Sequence, residues 1–360
     1  MNLLVLAQTP PPLHGQSLMV QTLVAGLPTH GIAVHHVNLR LSHNAADIGR
    51  WRPGKLLAVL DACVTSIVLR FRHGCDTLYY VPAPGKRGAL YRDWVVMLLC
   101  RPFFRRLVLH WHASGLAGWL ADHATAPERA ITRLLLGGAD LSIVLSSSLQ
   151  ADATALAPQA IAVVPNGAAD PGESEPRTPP SDRAPLQVLF LGLCSEEKGL
   201  FAAAAAVLAA NRAAPAFTLV AAGSFPDFAS ARQFEELCAK NPAALRYAGP
   251  VSGADKAQLL RHSQCLCLPT HYPAEGQPLV LLEAMAYDLP IIATRWRAIP
   301  GTVPAAALLV EPGDTAALTA ALLQLHRTPP AAGVIRQHYL HHYTVPAHLA
   351  TLAAALAVVP

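Results

Sequence analysis

Short apolar runs rich in branched residues alternate along this chain with longer segments of helical periodicity. In the first half the short runs predict strands at Leu3–Ala7, Ala33–Asn38, Thr77–Val81, Leu107–Trp111, Leu141–Leu145 and Ile161–Val164. Between them the pattern predicts helices at 16–28, 55–71, 88–100, 127–137 and 147–156. This alternation is typical of a parallel sheet that is covered by helices on both faces.

A proline-rich, polar passage from Pro171 to Pro185 then interrupts the pattern and indicates a linker between domains. The alternation resumes with predicted strands at Val188–Leu191, Thr218–Ala221, Leu245–Tyr247, Cys265–Leu268, Pro290–Ala293 and Leu308–Val310. We therefore predict two doubly wound, Rossmann-like α/β domains, at 1–168 and 187–340, joined by a linker at 169–186. Their ligand is expected in a cleft at the carboxyl ends of the strands. The last segment, 341–360, contains an amphipathic helix at His348–Val358.

Composition supports a folded chain of this kind. Of the 360 residues, 52% are hydrophobic and only 14% are charged, which excludes a disordered polymer. The apolar runs are all shorter than the roughly 18 to 20 residues that cross a bilayer. The apolar start, Met1–Ala7, lacks the basic flank of a signal peptide and is better explained as a first strand. Seven cysteines, an odd number, indicate free thiols in a reducing compartment, and hence a cytoplasmic protein.

Positive charge is concentrated in the first half. Residues 1–165 contain 14 Lys and Arg against 8 Asp and Glu, although the whole chain has a net charge of only +4. Four arginines frame the apolar residues of the segment 92–106: Arg92, Arg101, Arg105 and Arg106. This segment either contacts an anionic membrane or forms the solvated rim of a buried helix. The basic residues are not interleaved with stacking aromatics, so nucleic acid is not an expected partner.

Two glutamates eight positions apart, Glu275 and Glu283, span the start of a predicted helix at Leu279–Ala286. Pro278 is expected in its first turn, where the missing N–H costs nothing. Glu275 then lies in the preceding loop, and Glu283 lies more than a turn inside the helix. The first free backbone N–H groups, around Leu279, form an anion site. Alternatively, both glutamates are ordinary surface charges.

The stretch from His271 to Ala286 resembles the E-x7-E signature of the retaining glycosyltransferases of family 4, which have the GT-B fold. Three weaker matches lie in the expected order along the chain. Pro10–Ser17 resembles the glycine-bearing loop after the first strand, Val164–Gly167 the end of the first domain, and Phe190–Gly199 the loop that binds the donor phosphates.

The resemblance implies an enzyme that moves a sugar from a nucleoside-diphosphate sugar, with Glu275, His112 and Lys198 as catalytic residues. Glu275 would bind the sugar hydroxyls, Glu283 the ribose hydroxyls, and His112, after the fourth strand, would face the donor sugar. A structural role for His112 is the alternative. The expected donor-binding set is Gly15, Lys198, Glu275, Gly276, Gln277, Pro278, Leu279 and Glu283.

Catalysis of this transfer depends mainly on positive groups around the departing diphosphate. Lys198, followed by Gly199, is expected to open a helix there, or else to be a solvated lysine. The family usually has an arginine where this chain has Leu193, and Arg295 or Arg297 can supply the second positive contact. The sequence contains no Asp-x-Asp pair, so we expect no metal and no cofactor beyond the donor itself.

The expected acceptor is a glycan or a lipid-linked glycan in surface polysaccharide or lipopolysaccharide synthesis. A lipid-linked acceptor would place the protein at the inner face of the plasma membrane. Two other enzymes remain open, a GT-B nucleotide-sugar epimerase and a sugar phosphorylase. A third alternative, from a different class, is a non-catalytic partner that binds nucleotide sugars.

Overall fold

The computed structural model describes residues 1–39, 53–172, 185–213 and 217–358. By its internal contacts the chain divides into two compact units. The first unit comprises Met1–Gly167, Ala274–Gln277 and Val345–Pro360, and the second comprises Ala168–Pro273 and Pro278–Thr344. The short segment Ala274–Gln277, which contains the first glutamate of the E-x7-E pair, thus packs with the first unit.

The first unit contains a six-stranded parallel sheet in the order β2-β1-β3-β4-β5-β6. Its strands are β1 (Asn2–Ala7), β2 (Ala33–Asn38), β3 (Thr77–Tyr80), β4 (Arg106–Trp111), β5 (Leu141–Val144) and β6 (Ile161–Val163). Its helices are α1 (Gly15–Gly26), α2 (Pro53–His73), α3 (Arg87–Cys100), α4 (Leu116–Asp122), α5 (Ala126–Leu136), α6 (Ala151–Thr154) and the closing helix of the chain, Val345–Ala357.

The second unit contains another six-stranded parallel sheet, in the order β12-β11-β10-β7-β8-β9. Its strands are β7 (Leu186–Leu191), β8 (Phe217–Ala222), β9 (Leu245–Gly249), β10 (Cys265–Leu268), β11 (Ile291–Thr294) and β12 (Leu308–Val310). Its helices are α7 (Leu200–Ala213), α8 (Phe228–Lys240), α9 (Gly253–His262), α10 (Leu279–Ala286), α11 (Ile299–Thr302), α12 (Thr315–Arg327) and α13 (Val334–His342). The closing helix of the first unit is therefore α14.

Burial explains why these strands could be predicted. Every residue of β3, β5, β10 and β11 is buried, as expected where helices cover both faces of a parallel sheet. Polar residues fix several helix starts. For example, Thr125 accepts from the backbone N–H of Glu128, whose carboxylate in turn accepts from the Thr125 N–H, so that a capping box begins α5.

The closing helix α14 packs into the core of the first unit. Leu352 and Leu356 are buried there with Leu3 and Val5 of the first strand. A side chain on Gly26, at the end of α1, would overlap the side chain of Leu349, which would have to shift. No helix among the described residues is both long enough and apolar enough to cross a bilayer.

All twelve predicted strands are present, and most predicted helices are confirmed within a few residues. The prediction of a single helix at 147–156 is wrong. This segment forms a short 3-10 turn followed by the single turn α6. Pro278 precedes α10 with an extended ψ of 117°, so it caps the helix from outside instead of occupying its first turn. Most of the predicted linker, at 173–184, lies outside the described residues.

The arginines predicted to face a membrane through 92–106 are partly engaged inside the first unit. Arg92 donates to the buried carboxylate of Asp93 at 2.6 Å. Arg101 Nη1 donates to the carbonyl oxygen of Leu135 at 2.7 Å. These two guanidinium groups are thus bound within the unit, and contact of the segment with a membrane stays a prediction.

Candidate functional site

The loop that carries Glu275 is held by residues at the carboxyl ends of the first sheet. Ser114, just after β4, donates its hydroxyl to the Glu275 carbonyl oxygen at 3.0 Å. A side chain on Gly276 would overlap the carbonyl oxygen of His112, so only glycine permits this packing. Asn166 binds Gln277 twice, from its backbone N–H to Oε1 at 2.7 Å and from Nδ2 to the carbonyl oxygen at 3.2 Å.

Three sequence motifs therefore meet at one edge of the first sheet: the residues after β4, the residues after β6 and the loop before α10. Glu275 and Gln277 are buried in this arrangement. Gly276 and Gln277 were predicted to touch the donor through their backbone. Gly276 packs against His112 and Gln277 is bonded to Asn166, so these contacts fix the position of the loop, and contact with the donor stays a prediction.

His112 belongs to a group of buried imidazoles in the first unit. Its ring centroid lies 4.1 Å from that of His110, whose Nδ1 contacts the hydroxyl of Tyr79. Burial, with His348 and His14 nearby, lowers the pKa of His112 to about 3. Burial likewise holds the pKa of His110 well below its ordinary value. At neutral pH His112 is thus an uncharged hydrogen-bonding group.

Several ring nitrogens of this group have no hydrogen-bond partner among the described residues, namely Nε2 of His110, His112 and His348. His348, at the start of α14, has its Nδ1 2.6 Å from the Pro165 carbonyl oxygen, which requires a proton on Nδ1. Its Nε2 is then an acceptor. Buried polar atoms are rarely left unsatisfied, so water or a ligand hydroxyl is expected beside these nitrogens.

The turn before α1 is organised by the neighbours of Gly15. His14 caps the helix, because its Nδ1 accepts from the Ser17 N–H at 3.3 Å while its own N–H donates to the Ser17 hydroxyl at 3.1 Å. Ser17 also donates to the Pro12 carbonyl oxygen and is fully buried, so its hydroxyl is bound within this turn. Gly15 is the first residue of α1, so any ligand at this helix start would meet backbone without a side chain.

In the second unit, Lys198 lies in the loop between β7 and α7 and not at a helix start as predicted, because α7 begins only at Leu200. Its backbone N–H donates to the Ser195 hydroxyl at 3.2 Å, and its Nζ lies 4.7 Å from the centre of the Tyr272 ring. Gly199 has a φ of 87°, and a side chain there would overlap the backbone of Pro269. The loop is thus pinned against the residues that follow β10.

Tyr272 is a contact point that the sequence did not single out. Besides the Lys198 ammonium against its ring, its carbonyl oxygen accepts from Trp296 Nε1 at 2.8 Å. Next to it, the Pro273 carbonyl oxygen accepts from Arg297 Nη2 at 3.0 Å. Arg295 and Arg297 were both expected to supply the positive contact that is missing at Leu193. Of these two, Arg297 is thus on the loop that contacts Tyr272. Arg295 instead lies 3.6 Å from Glu311, and both of these side chains are exposed.

Glu283 projects from α10 and forms an ion pair with Lys256 of α9, with Nζ to Oε1 at 2.6 Å. Both side chains are partly exposed, so the carboxylate remains open to a ligand. The N–H groups of Leu279 and Val280, in the first turn of α10, have no intrahelical acceptor. The carboxylate of Asp288, just after this helix, accepts from the backbone N–H groups of Gly333 and Arg336 and so caps α13.

The described residues contain no group of three or more His, Cys, Asp or Glu placed to hold a metal ion. In the first unit, the neutral imidazoles and the buried Glu275 carboxylate can bind hydroxyls. In the second unit, Lys198, Glu283 and the first N–H groups of α10 can bind phosphates and hydroxyls.

Comparison with known proteins gives a family match for part of the second unit. Residues 185–328 match the family model described as Glycosyl transferases group 1. Glycogen synthase of Mycobacterium tuberculosis is 28% identical over 229 residues, which cover 60% of this chain and 52% of that protein. The chain thus matches about half the length of its curated relatives.

Solved structures extend the similarity to the fold of the whole chain. Sucrose-phosphate synthase from Thermosynechococcus elongatus has a TM-score of 0.75 at 18% identity, covering 99% of this chain and 98% of that one. HepE of Anabaena, in complex with UDP, has a TM-score of 0.70 at 18% identity, covering 99% and 100%. The lipopolysaccharide outer core galactosyltransferase WaaB has a TM-score of 0.69 at 16% identity, covering 99% of each chain. The fold is GT-B, and together the comparisons support a glycosyltransferase.

Proposed function

We propose that this protein is a retaining glycosyltransferase that moves a sugar from a nucleoside-diphosphate sugar to a hydroxyl of a glycan or lipid-linked glycan. The observation that carries the proposal is the anchoring of the Glu275 loop. Contacts from Ser114, His112 and Asn166 hold this loop at the carboxyl edge of the first sheet, and α10 begins directly after it. The sequence signature and the fold support the same activity.

The donor sugar would bind to Glu275, whose buried carboxylate can accept from sugar hydroxyls, and to neutral His112. A neutral imidazole, unlike a protonated one, does not repel the positive charge that develops at the anomeric carbon. Lys198 and the first N–H groups of α10 would stabilise the departing diphosphate. Glu283 would accept from the ribose hydroxyls, and Gly15 would admit the substrate close to the start of α1.

The solved structures favour a uracil nucleotide as the donor base. HepE of Anabaena has been crystallised with UDP and with UDP-glucose. We therefore expect UDP-sugars to bind more tightly than GDP- or ADP-sugars, and no metal or cofactor to be required. The acceptor is proposed to be a precursor of a surface polysaccharide or of lipopolysaccharide. A lipid-linked acceptor would bring the protein to the inner face of the plasma membrane.

The first test is donor turnover by purified protein with a panel of nucleotide sugars and glycan acceptors. Release of nucleoside diphosphate should depend on the acceptor, and NMR of the product should show the anomeric configuration of the donor. Glu275→Gln should lower turnover by about 100-fold or more, because it removes an interaction at the reacting sugar. Glu236→Gln, on the exposed face of α8, is the matched control and should leave turnover unchanged.

Other outcomes would favour the alternative functions. Conversion of the donor without an acceptor would indicate an epimerase, and dependence on free phosphate would indicate a phosphorylase. Tight donor binding without any turnover would indicate a non-catalytic partner. Turnover by Glu275→Gln equal to that of the unmodified protein would contradict the assigned site.

A further inference from the structure

The longest helix of the first unit, α2, has an apolar face that nothing in the described structure covers. The side of the helix that packs on the unit buries Val59, Ala62, Cys63 and Ser66. The opposite side carries a row of large apolar residues that are exposed: Leu57 (69%), Leu60 (37%), Val64 (60%), Val68 (55%) and Phe71 (68%). We call these five residues the α2 apolar row.

The spacing of the α2 apolar row places it on one continuous stripe. Leu57, Val64 and Phe71 are seven positions apart, which is two helical turns, and Leu60 and Val68 fill the gaps between them. Single exposed apolar residues are common on protein surfaces, but a contiguous row over four turns is not. A helix that is apolar on both sides is normally covered on both sides.

Positive charge surrounds the carboxyl-terminal end of the row. The Phe71 and Phe103 rings lie edge to face with their centroids 6.1 Å apart, and Arg70 Nε donates to the Phe103 carbonyl oxygen at 2.8 Å. Arg72 and, two positions after Phe103, Arg105 are exposed. Asp61, the one acidic residue of α2, is exposed and lies on the same stripe, four positions after Leu57 and three before Val64. The positive rim is therefore confined to the carboxyl-terminal end of the row.

We propose that the α2 apolar row is a docking surface for an anionic lipid membrane. The side chains of the α2 apolar row would insert among the acyl chains, while the lipid headgroups pair with the arginines. A helix that lies in the plane of the membrane–water interface binds in this way. A second copy of the chain is the competing occupant, and the test below distinguishes it from a membrane. The helix fails the criteria for a membrane-spanning segment, so it lies on the bilayer and does not cross it.

This surface differs from the one predicted at 92–106. Arg92 and Arg101 of that segment are bound inside the first unit, whereas Phe103 and Arg105 adjoin the end of α2. The proposed membrane contact therefore lies on α2. The sequence pattern alone did not distinguish the buried side of this helix from its exposed side. The proposal extends the lipid-linked acceptor of the proposed function, but binding to vesicles needs no transfer reaction.

The test is co-sedimentation of the full chain with vesicles of phosphatidylcholine alone and of phosphatidylcholine mixed with phosphatidylglycerol. The unmodified protein should sediment with the anionic vesicles and release as salt is raised. The double variant Val64→Ser/Val68→Ser should bind at least about tenfold more weakly, because each lost methyl group reduces buried apolar area. Arg72→Gln/Arg105→Gln should weaken binding by about fivefold for each charge removed.

The matched control is Leu134→Ser, which changes an exposed apolar residue on α5 of the same unit (76% exposed) and should bind like the unmodified protein. Thermal unfolding of each variant establishes that it is folded, and the arginine variant tests the surface even if the valine variant fails to fold. Three results would overturn the proposal. They are an unmodified protein that stays in the supernatant, variants that sediment as well as Leu134→Ser, and a solution dimer that Val64→Ser/Val68→Ser dissociates.

Donor turnover with a soluble acceptor separates this proposal from the proposed function. Val64→Ser/Val68→Ser should keep that turnover while losing vesicle binding. An enzyme that binds vesicles but releases no nucleoside diphosphate would contradict the proposed function alone. An enzyme that turns over donor but ignores anionic vesicles would contradict the docking surface alone.

Discussion

Asn166 and Gln277, which are 111 positions apart in the chain, are joined by two hydrogen bonds, of 2.7 and 3.2 Å. The shorter bond satisfies a buried backbone N–H of Asn166. The pair links the residues after β6 to the loop that carries Glu275. Glu275 is therefore positioned by contacts that are remote from it in sequence.

Replacement of Gln277 by alanine should reduce both stability and turnover. The change leaves the Asn166 N–H without its side-chain acceptor, at a cost of about 1–3 kcal/mol in the free energy of unfolding. It also loosens the loop, so kcat should fall more than the small loss of stability explains. Thermal denaturation and donor turnover measure the two effects. Gln159→Ala, at an exposed residue of the same unit, should change neither; equal effects of the two variants would refute the positioning role.

The ion pair between Lys256 and Glu283 leads to a second prediction, on nucleotide binding. If Glu283 accepts from the ribose, Lys256 orients its carboxylate, and Lys256→Ala should raise the donor KM with little change in kcat. A partly exposed pair of this kind contributes up to about 1 kcal/mol, so the KM should rise by at most about fivefold. The exposed Lys240→Ala is the control for loss of positive charge in the same unit. A fall in kcat at constant KM would instead place Lys256 in the chemical step.

The strands and the start of α10 could be predicted because they depend on local pattern. The fully buried strands, such as Cys265–Leu268, are short and apolar throughout, and Leu279–Ala286 is bounded by a proline that cannot continue a helix backwards. The signature glutamates likewise lie within nine residues of each other. Those elements need no information about distant contacts.

The rest of the site depends on tertiary contacts that local pattern does not encode. Lys256 is 27 positions from Glu283 and lies on a helix with other charged residues, so nothing in its neighbourhood marks it. The packing of Gly276 on His112 also joins distant segments. The orientation of α2 could not be predicted for another reason. Both of its sides are apolar, so periodicity does not show which side is buried.

The buried imidazoles of the first unit predict a loss of stability in acid. The pKa values of His14, His110, His112 and His348 are all lowered from 6.5, mainly by burial. Between about pH 6.5 and the lowered values, the unfolded chain binds more protons than the folded one, so stability falls as pH falls. Each such group contributes a slope of up to about 1.4 kcal/mol per pH unit. Above pH 6.5 this contribution is complete and constant.

The measurement is the free energy of unfolding as a function of pH. His348→Gln should flatten the slope below pH 6.5, because it removes one of the groups and its influence on His112. His30→Ala, at an exposed histidine, should leave the slope unchanged. Turnover corrected for unfolding should not follow a His112 titration near neutral pH. An ionisation of His112 near its ordinary pKa, seen by NMR, would contradict this account.

Gly276 gives the most direct test of the loop as the centre of the site. An added methyl group would overlap the His112 carbonyl oxygen, so Gly276→Ala must shift the loop that carries Glu275. Overpacking of this kind costs about 1–3 kcal/mol, which a protein of this size tolerates. A displacement of about 1 Å in a positioning group can lower the rate by about 100-fold, so the variant should fold but turn over donor at least that much more slowly. Gly118→Ala, in α4, meets no atom within 4 Å and should retain full activity. If Gly276→Ala were as active as Gly118→Ala, the position of the Glu275 loop would not govern transfer, and the catalytic role assigned to it would have to be abandoned.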